Sequence, residues 1–129
     1  MVPTAFPGRL SAVNTELIRE YCLEKPGVTE SFPFDAVSLV FKVGNKIFAL
    51  LDTESRPTTI NLKCDPERAM QLREEFDAVR PGFHMNKTHW NTITLDGSVR
   101  WPDVQEWIDH SYELVIKGLS RAVREQLSE

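Results

Sequence analysis

Two spacings of apolar residues alternate along the chain. From Asn14 to Lys25, Leu17, Ile18, Tyr21 and Cys22 recur at helical spacing and predict one buried stripe. Asn14 suits the N-cap, because its side-chain oxygen can accept from the open amides of the first turn. Pro26-Gly27 stops the helix. The period then changes to two. Val37, Leu39, Phe41 and Val43 alternate with Ser38, Val40 and Lys42, and after Gly44-Asn45 a second run extends from Lys46 to Asp52. Two such runs joined by Gly-Asn predict a β-hairpin, since both residues tolerate the positive φ of a two-residue turn. A third strand is expected over Thr58 to Leu62.

Asp65-Pro66-Glu67 has the composition of a helix start: a capping carboxylate, proline at the first helical position and an acid near the positive end of the dipole. Ala69, Leu72, Phe76 and Val79 mark its inner face, and Pro81-Gly82 ends it. A strand follows over Trp90 to Leu95, then an Asp96-Gly97 turn. The last long helix runs from about Pro102 to Lys117, with Val104, Trp107, Ile108, Ser111 and Val115 inward and Gly118 as terminator. Helix, three antiparallel strands, helix, one or two strands and helix make an α+β sandwich, an antiparallel sheet packed against helices. The expected organisation is one domain over residues 14–119. Residues 1–13, with Pro3, Pro7 and Gly8, read as an irregular tail, and residues 120–129 as a tail or helical stub.

Composition narrows the class. The chain has 129 residues, 15 Lys+Arg and 19 Asp+Glu, hence a net charge of −4 and a pI near 5.4. With 41% hydrophobic and 26% charged residues, disorder is excluded. A duplex binder that works by bulk electrostatics carries a basic excess, so any nucleic-acid site here must be a local patch. Cys22 and Cys64 form no CxxC pair and read as buried thiols of a reducing cytoplasm. No apolar run reaches the ~20 residues of a membrane span, and the first residues lack a secretion signal. Cytoplasmic location and no membrane contact are therefore expected.

Candidate chemistry is sparse. There is no GxSxG, HExxH, Walker loop or GxGxxG, so neither an enzyme nor a cofactor nor a small-molecule substrate is expected. His84 and His89 could share a metal only with a further ligand, and no metal site is assigned. Glu16, Glu20 and Glu24 lie on one helix face and suggest at most weak cation binding. Lys42 and Lys46 flank the first hairpin tip, and Lys87, His89 and Trp90 cluster before the later strand, with Arg56 and Lys63 as further cations in their vicinity. Lysines at a hairpin tip can reach phosphates and an adjacent aromatic can stack on a base. These five residues are the candidate nucleic-acid site.

Several blocks resemble the MmcQ/YjbR family of small bacterial proteins: PGVTESFPFD (Pro26 to Asp35), LVFKVGNKIFALL (Leu39 to Leu51), LKCDPERA (Leu62 to Ala69), PGFHMNKTHWNTITLDG (Pro81 to Gly97) and WIDHSYELV (Trp107 to Val115). The resemblance covers about Asn14 to Leu119. It implies a CyaY-like (frataxin-like) α+β fold and DNA binding through a double wing of β-hairpins, the first around Gly44-Asn45 and the second over Phe83 to Leu95. Lys87, His89 and Trp90 fall in the family's HMNKxHW segment, and Lys42 and Lys46 on the matching hairpin. Arg100-Trp101 before Pro102-Asp103 departs from the family pattern at the start of the last helix. The expected function is weak, sequence-nonspecific DNA binding. The alternatives are a non-catalytic protein-interaction module and a weak metal binder.

Overall fold

The computed structural model describes residues 14–83 and 85–128. The tail reading of residues 1–13 and the pairing of His84 with His89 lie outside the described residues. Helix α1 (Thr15–Leu23) is capped by Asn14, whose Oδ1 accepts from the Leu17 amide at 2.8 Å, and it buries Ile18 and Cys22 completely. Six strands follow: β1 (Val28–Ser31), β2 (Ser38–Val43), β3 (Lys46–Asp52), β4 (Thr59–Lys63), β5 (Val79–Pro81) and β6 (Trp90–Thr94). They form one sheet in the order β1-β2-β3-β4-β6-β5, every neighbouring pair antiparallel. Helix α2 (Pro66–Glu75) joins β4 to β5, α3 (Trp101–Lys117) follows β6, and α4 (Arg121–Ser128) ends the described chain. The fold class is α+β, as the alternating periods require.

The β2–β3 turn has both central residues at positive φ, +57° at Gly44 and +67° at Asn45, which matches the right-handed twist of the flanking strands. Gly44 is constrained twice. A Cβ there would lie 2.6 Å from Leu119 Cδ1, so the hairpin tip rests against the α3–α4 junction. Within the hairpin the register slips. Phe41 faces Ala49 but Lys42 faces Ile47, leaving Phe48 as the extra residue of a bulge. Phe48 is fully buried, and its carbonyl accepts from the Ser111 hydroxyl of α3 at 2.5 Å.

The core lies between the helices and the sheet face that carries Leu39, Phe41, Leu51, Ile60 and Ile93. Val104, Trp107, Ile108, Ser111 and Val115 of α3 are all buried against it, the five positions the helical spacing selects. Leu127 of α4 packs on the same core. Burial pushes the Cys22 thiol up to about 12, and Cys22 and Cys64 are both free and buried. Among the described residues no helix is long and apolar enough to cross a membrane.

Two strands depart from the sequence reading. The helical stripe through Phe76 and Val79 does not continue α2. Phe76 is extended (φ −124°, ψ 119°), and Val79 opens β5 opposite Ile93. Arg80 precedes a proline, which disfavours helical backbone, and β-branched Val79 gains a ladder partner. Strand β1 is only four residues long with a single apolar side chain, too short for period two to register.

Candidate functional site

Antiparallel register sorts the opposite sheet face into rows, because directly paired residues project to the same side. Arg80, Thr92, Asn61, Leu50 and Val40 make one row across five strands, and Thr94, Thr59, Asp52 and Ser38 the next. At the other end of the strands, Trp90 pairs with Lys63 and Ile47 with Lys42. Strands β3 and β4 part here. Their pairing starts at Ala49 and Leu62, and beyond it the Lys63 amide turns to α3 and donates to Ser111 Oγ at 2.9 Å.

The parting opens a cleft of about 500 Å³. Lys42, Lys46, Lys63 and Trp90 line it together with Asn45 and the end of α3. Among the described residues no carboxylate lines it. Four other cations are held in ion pairs: Arg19 with Glu16 and Glu30, Lys25 with Asp109, Arg68 with Glu106 and Arg121 with Glu125. Lys42, Lys46 and Lys63 form no ion pair with any described residue. A protein of net charge −4 thus concentrates three cations around one indole.

Of the five sequence candidates, Lys42, Lys46 and Trp90 meet in this cleft, and Lys87 and His89 do not line it. Lys87 Nζ donates to the Gly82 carbonyl at 3.2 Å, and exposed His89 donates its amide to Asn86. Both belong to the loop that positions Trp90. Asn86 Oδ1 folds that loop by accepting from the Thr88 and His89 amides. Arg73 of α2 holds it from below, with Nε on Asn91 Oδ1 at 2.7 Å and Nη2 on the carbonyls of Lys87 and Trp90. Gly82 donates to the Trp90 carbonyl at 2.8 Å, and a Cβ on Gly82 would come within 2.8 Å of Trp90 Cβ, so only glycine permits this approach. Trp90 is half-buried and lines the cleft with the three lysines.

A second hollow, of about 400 Å³, continues from the first along the same face, with Ile47 lining both. Its floor is Leu50, Asn61, Thr92, Ser38, Asp52 and Thr59. Its walls are Phe34, from the loop between β1 and β2, and Phe83 and Met85, from the loop between β5 and β6. Phe34 is 65% exposed and Phe83 66%. Asp35 fixes the first loop by accepting from the Val37 and Ser38 amides at 2.9 and 2.7 Å, which also holds its carboxyl below the usual range. On the second wall the Phe83 amide donates to Thr92 Oγ1 at 2.8 Å, and Thr92 in turn donates to Asn61 Oδ1 at 2.5 Å.

The acidic stripe of α1 offers no comparable site. Glu16, Glu20 and Glu24 are exposed, and Glu16 pairs with Arg19. Among the described residues no group of three or more His, Cys, Asp or Glu side chains is placed to hold a metal ion. Sequence reading left Phe34, Phe83 and Met85 unassigned. Single aromatics in loops carry no period, and whether such a ring is core or surface depends on where the loop is pinned.

Comparison with known proteins places the chain. The family model named YjbR matches residues 23–114. The uncharacterised protein YjbR of Escherichia coli is 37% identical over 109 residues, covering 84% of this chain and 92% of its own. The uncharacterised protein YyaQ of Bacillus subtilis is 28% identical over 116 residues, covering 79% of this chain and 98% of its own. A crystal structure of a Deinococcus radiodurans protein superimposes with a TM-score of 0.86 at 40% identity, over 92% of this chain and 90% of that one. Since the family model spans most of the chain and the Escherichia coli relative aligns over nearly its full length, the chain belongs to the YjbR family.

Proposed function

We propose that the cleft between the ends of β3 and β4 binds the phosphate backbone of nucleic acid, weakly and with little sequence preference. The observation that carries this reading is that Lys42, Lys46 and Lys63 line one cleft with Trp90, and that no carboxylate lines it among the described residues. Phosphate contacts from lysines give affinity and register but no base readout. The overall charge of −4 limits the strength of binding. This reading keeps Lys42 and Lys46 and takes Lys63 in place of Lys87. It also makes the first hairpin a wall of the cleft, because its tip is backed by Leu119.

The test is a fluorescence-anisotropy titration of labelled DNA at ~50 mM and physiological salt, with wild type and the Lys42→Ala/Lys46→Ala/Lys63→Ala variant. Three phosphate contacts at about 0.9 each give a duplex slope of log affinity against log salt of about −3. The triple variant is expected to lose binding while remaining folded. Unchanged binding by that variant refutes the site, and no binding by wild type at low salt refutes the function.

A further inference from the structure

We infer that the sheet face bearing both hollows is a contact surface between two copies of this chain, related by a two-fold axis that seats the acidic end of each face on the basic end of the other. The strand register lays out the charges. Lys42 and Lys63 lie two residues along from Val40 and Asn61 of the central row, and Asp52 lies two residues from Leu50 in the opposite direction. At the rise of a strand, the basic and acidic rows therefore stand about 7 Å to either side of the centre. Lys46 extends the basic end at the hairpin tip, and Asp35 extends the acidic end in the loop before β2.

These charges are unneutralised within one chain. None of the three lysines or two aspartates forms an ion pair with a described residue. Asp35 accepts from the Val37 and Ser38 amides and the Ser38 hydroxyl, and Asp52 from the Glu54 and Ser55 amides. Those neutral donors orient the carboxylates and leave their charge in place. An axis lying in the face along the central row reverses direction along the strands and keeps position across them. Because β3 runs between β2 and β4, Asp52 of a second copy then comes over the space between Lys42 and Lys63. That space is the cleft where β3 and β4 part. An axis along the strands would set lysine on lysine instead, so charge selects the first arrangement. In an isologous contact each pairing is made twice, so one basic and one acidic end per chain suffice.

Shape follows the same direction. The acidic end is raised, with Phe34 65% exposed next to Asp35. The basic end is hollow, and its cleft offers Ile47, Val115 and Trp90 to an apolar ring beside the ammonium groups that would meet a carboxylate. The lysines are those of the nucleic-acid reading above. Carboxylate and phosphate compete for them, so the paired form is the one that holds no nucleic acid. The inference itself does not depend on that reading.

Sedimentation velocity over a concentration series, with no nucleic acid present, tests it at ~50 mM and ~1 M salt. Wild type is expected to dimerise at low salt and to weaken at least about tenfold at high salt, where exposed charges are screened. Lys42→Glu/Lys63→Glu and Asp52→Lys each set like charges together and should be monomeric alone, with folding checked by circular dichroism. Mixed in equal amounts, the two variants regain opposite charges at both contacts and should form a heterodimer. Wild type that stays monomeric at every concentration and both salts overturns this inference and leaves the nucleic-acid reading standing. A dimer indifferent to salt and to both variants overturns it too, as do folded variants that fail to associate when mixed. Failure of wild type to bind DNA refutes the nucleic-acid reading alone.

Discussion

Replacing Ser111 by alanine removes one atom from a fully buried site, and its cost follows from what that atom holds together. Ser111 Oγ donates to the Phe48 carbonyl at 2.5 Å and accepts from the Lys63 amide at 2.9 Å. Phe48 is the bulged residue of β3, and Lys63 is where β4 has left β3, so the hydroxyl stands in for a missing stretch of ladder. Alanine leaves a backbone acceptor and a backbone donor without a partner. Each such group costs about 1–3 kcal/mol, against a gain of a few tenths, roughly, from better helix propensity. Ser111→Ala should therefore destabilise by about 2–5 kcal/mol, although it removes almost no apolar contact. Urea denaturation with an unchanged m-value is the assay, with hydrogen exchange of the Lys63 amide as the local readout. Lys63 exchange should accelerate beyond the global change. A loss below about 0.5 kcal/mol, or an unaltered Lys63 amide, would refute the idea that the hydroxyl bridges the parted strands.

Three other perturbations test the frame around the site. Trp107 is 5% exposed and meets Phe76 edge-to-face at 5.1 Å, so Trp107→Ala should cost about 3–5 kcal/mol in the same assay, and under 1 kcal/mol would contradict its burial. Gly44→Ala must hold φ +57° and displace Leu119, which should cost about 2 kcal/mol, whereas Asn45→Gly should be near neutral. His110 Nε2 accepts from the Asp65 amide at 3.2 Å, and burial, aided by nearby Arg68, pushes its pKa below the ordinary value of 6.5. The unfolded chain then binds the proton more readily. The stabilisation is complete above pH 6.5 and is lost as pH falls toward the folded pKa. His110→Gln should flatten the fall in urea midpoint between pH 7.5 and 5, and an unchanged pH profile would exclude the group.

Legibility in the sequence tracked the length and regularity of each signal. Helix α3 spans five turns of apolar spacing, and its five inward residues were all readable. The β2–β3 hairpin carries both alternation and a turn pair, and it too was plain. Strand β5 was hidden because Phe76 and Val79 satisfy helical spacing, and only pairing with β6 decides against it. At the site, Lys42, Lys46 and Trp90 were visible as a charge-and-aromatic cluster near turns. Lys63 was seen only as a neighbouring cation, because its place beside Trp90 comes from the β4–β6 register, which no local signal encodes. Phe34 and Phe83 are 49 positions apart in a chain whose loops alone bring them to one hollow.

The sheet's outermost strands are also its shortest, β1 with four residues and β5 with three. Such borders are poor templates for another chain. Strand β5 ends in Pro81, which has no amide hydrogen to offer, and β1 carries Glu30, clamped to Arg19 by two bonds of 2.8 and 2.6 Å. An incoming strand would find too few backbone groups on β5 and a fixed charge pair on β1. Lateral growth into fibrils or runaway sheet extension is therefore resisted at both margins, and the borders do not recruit further copies.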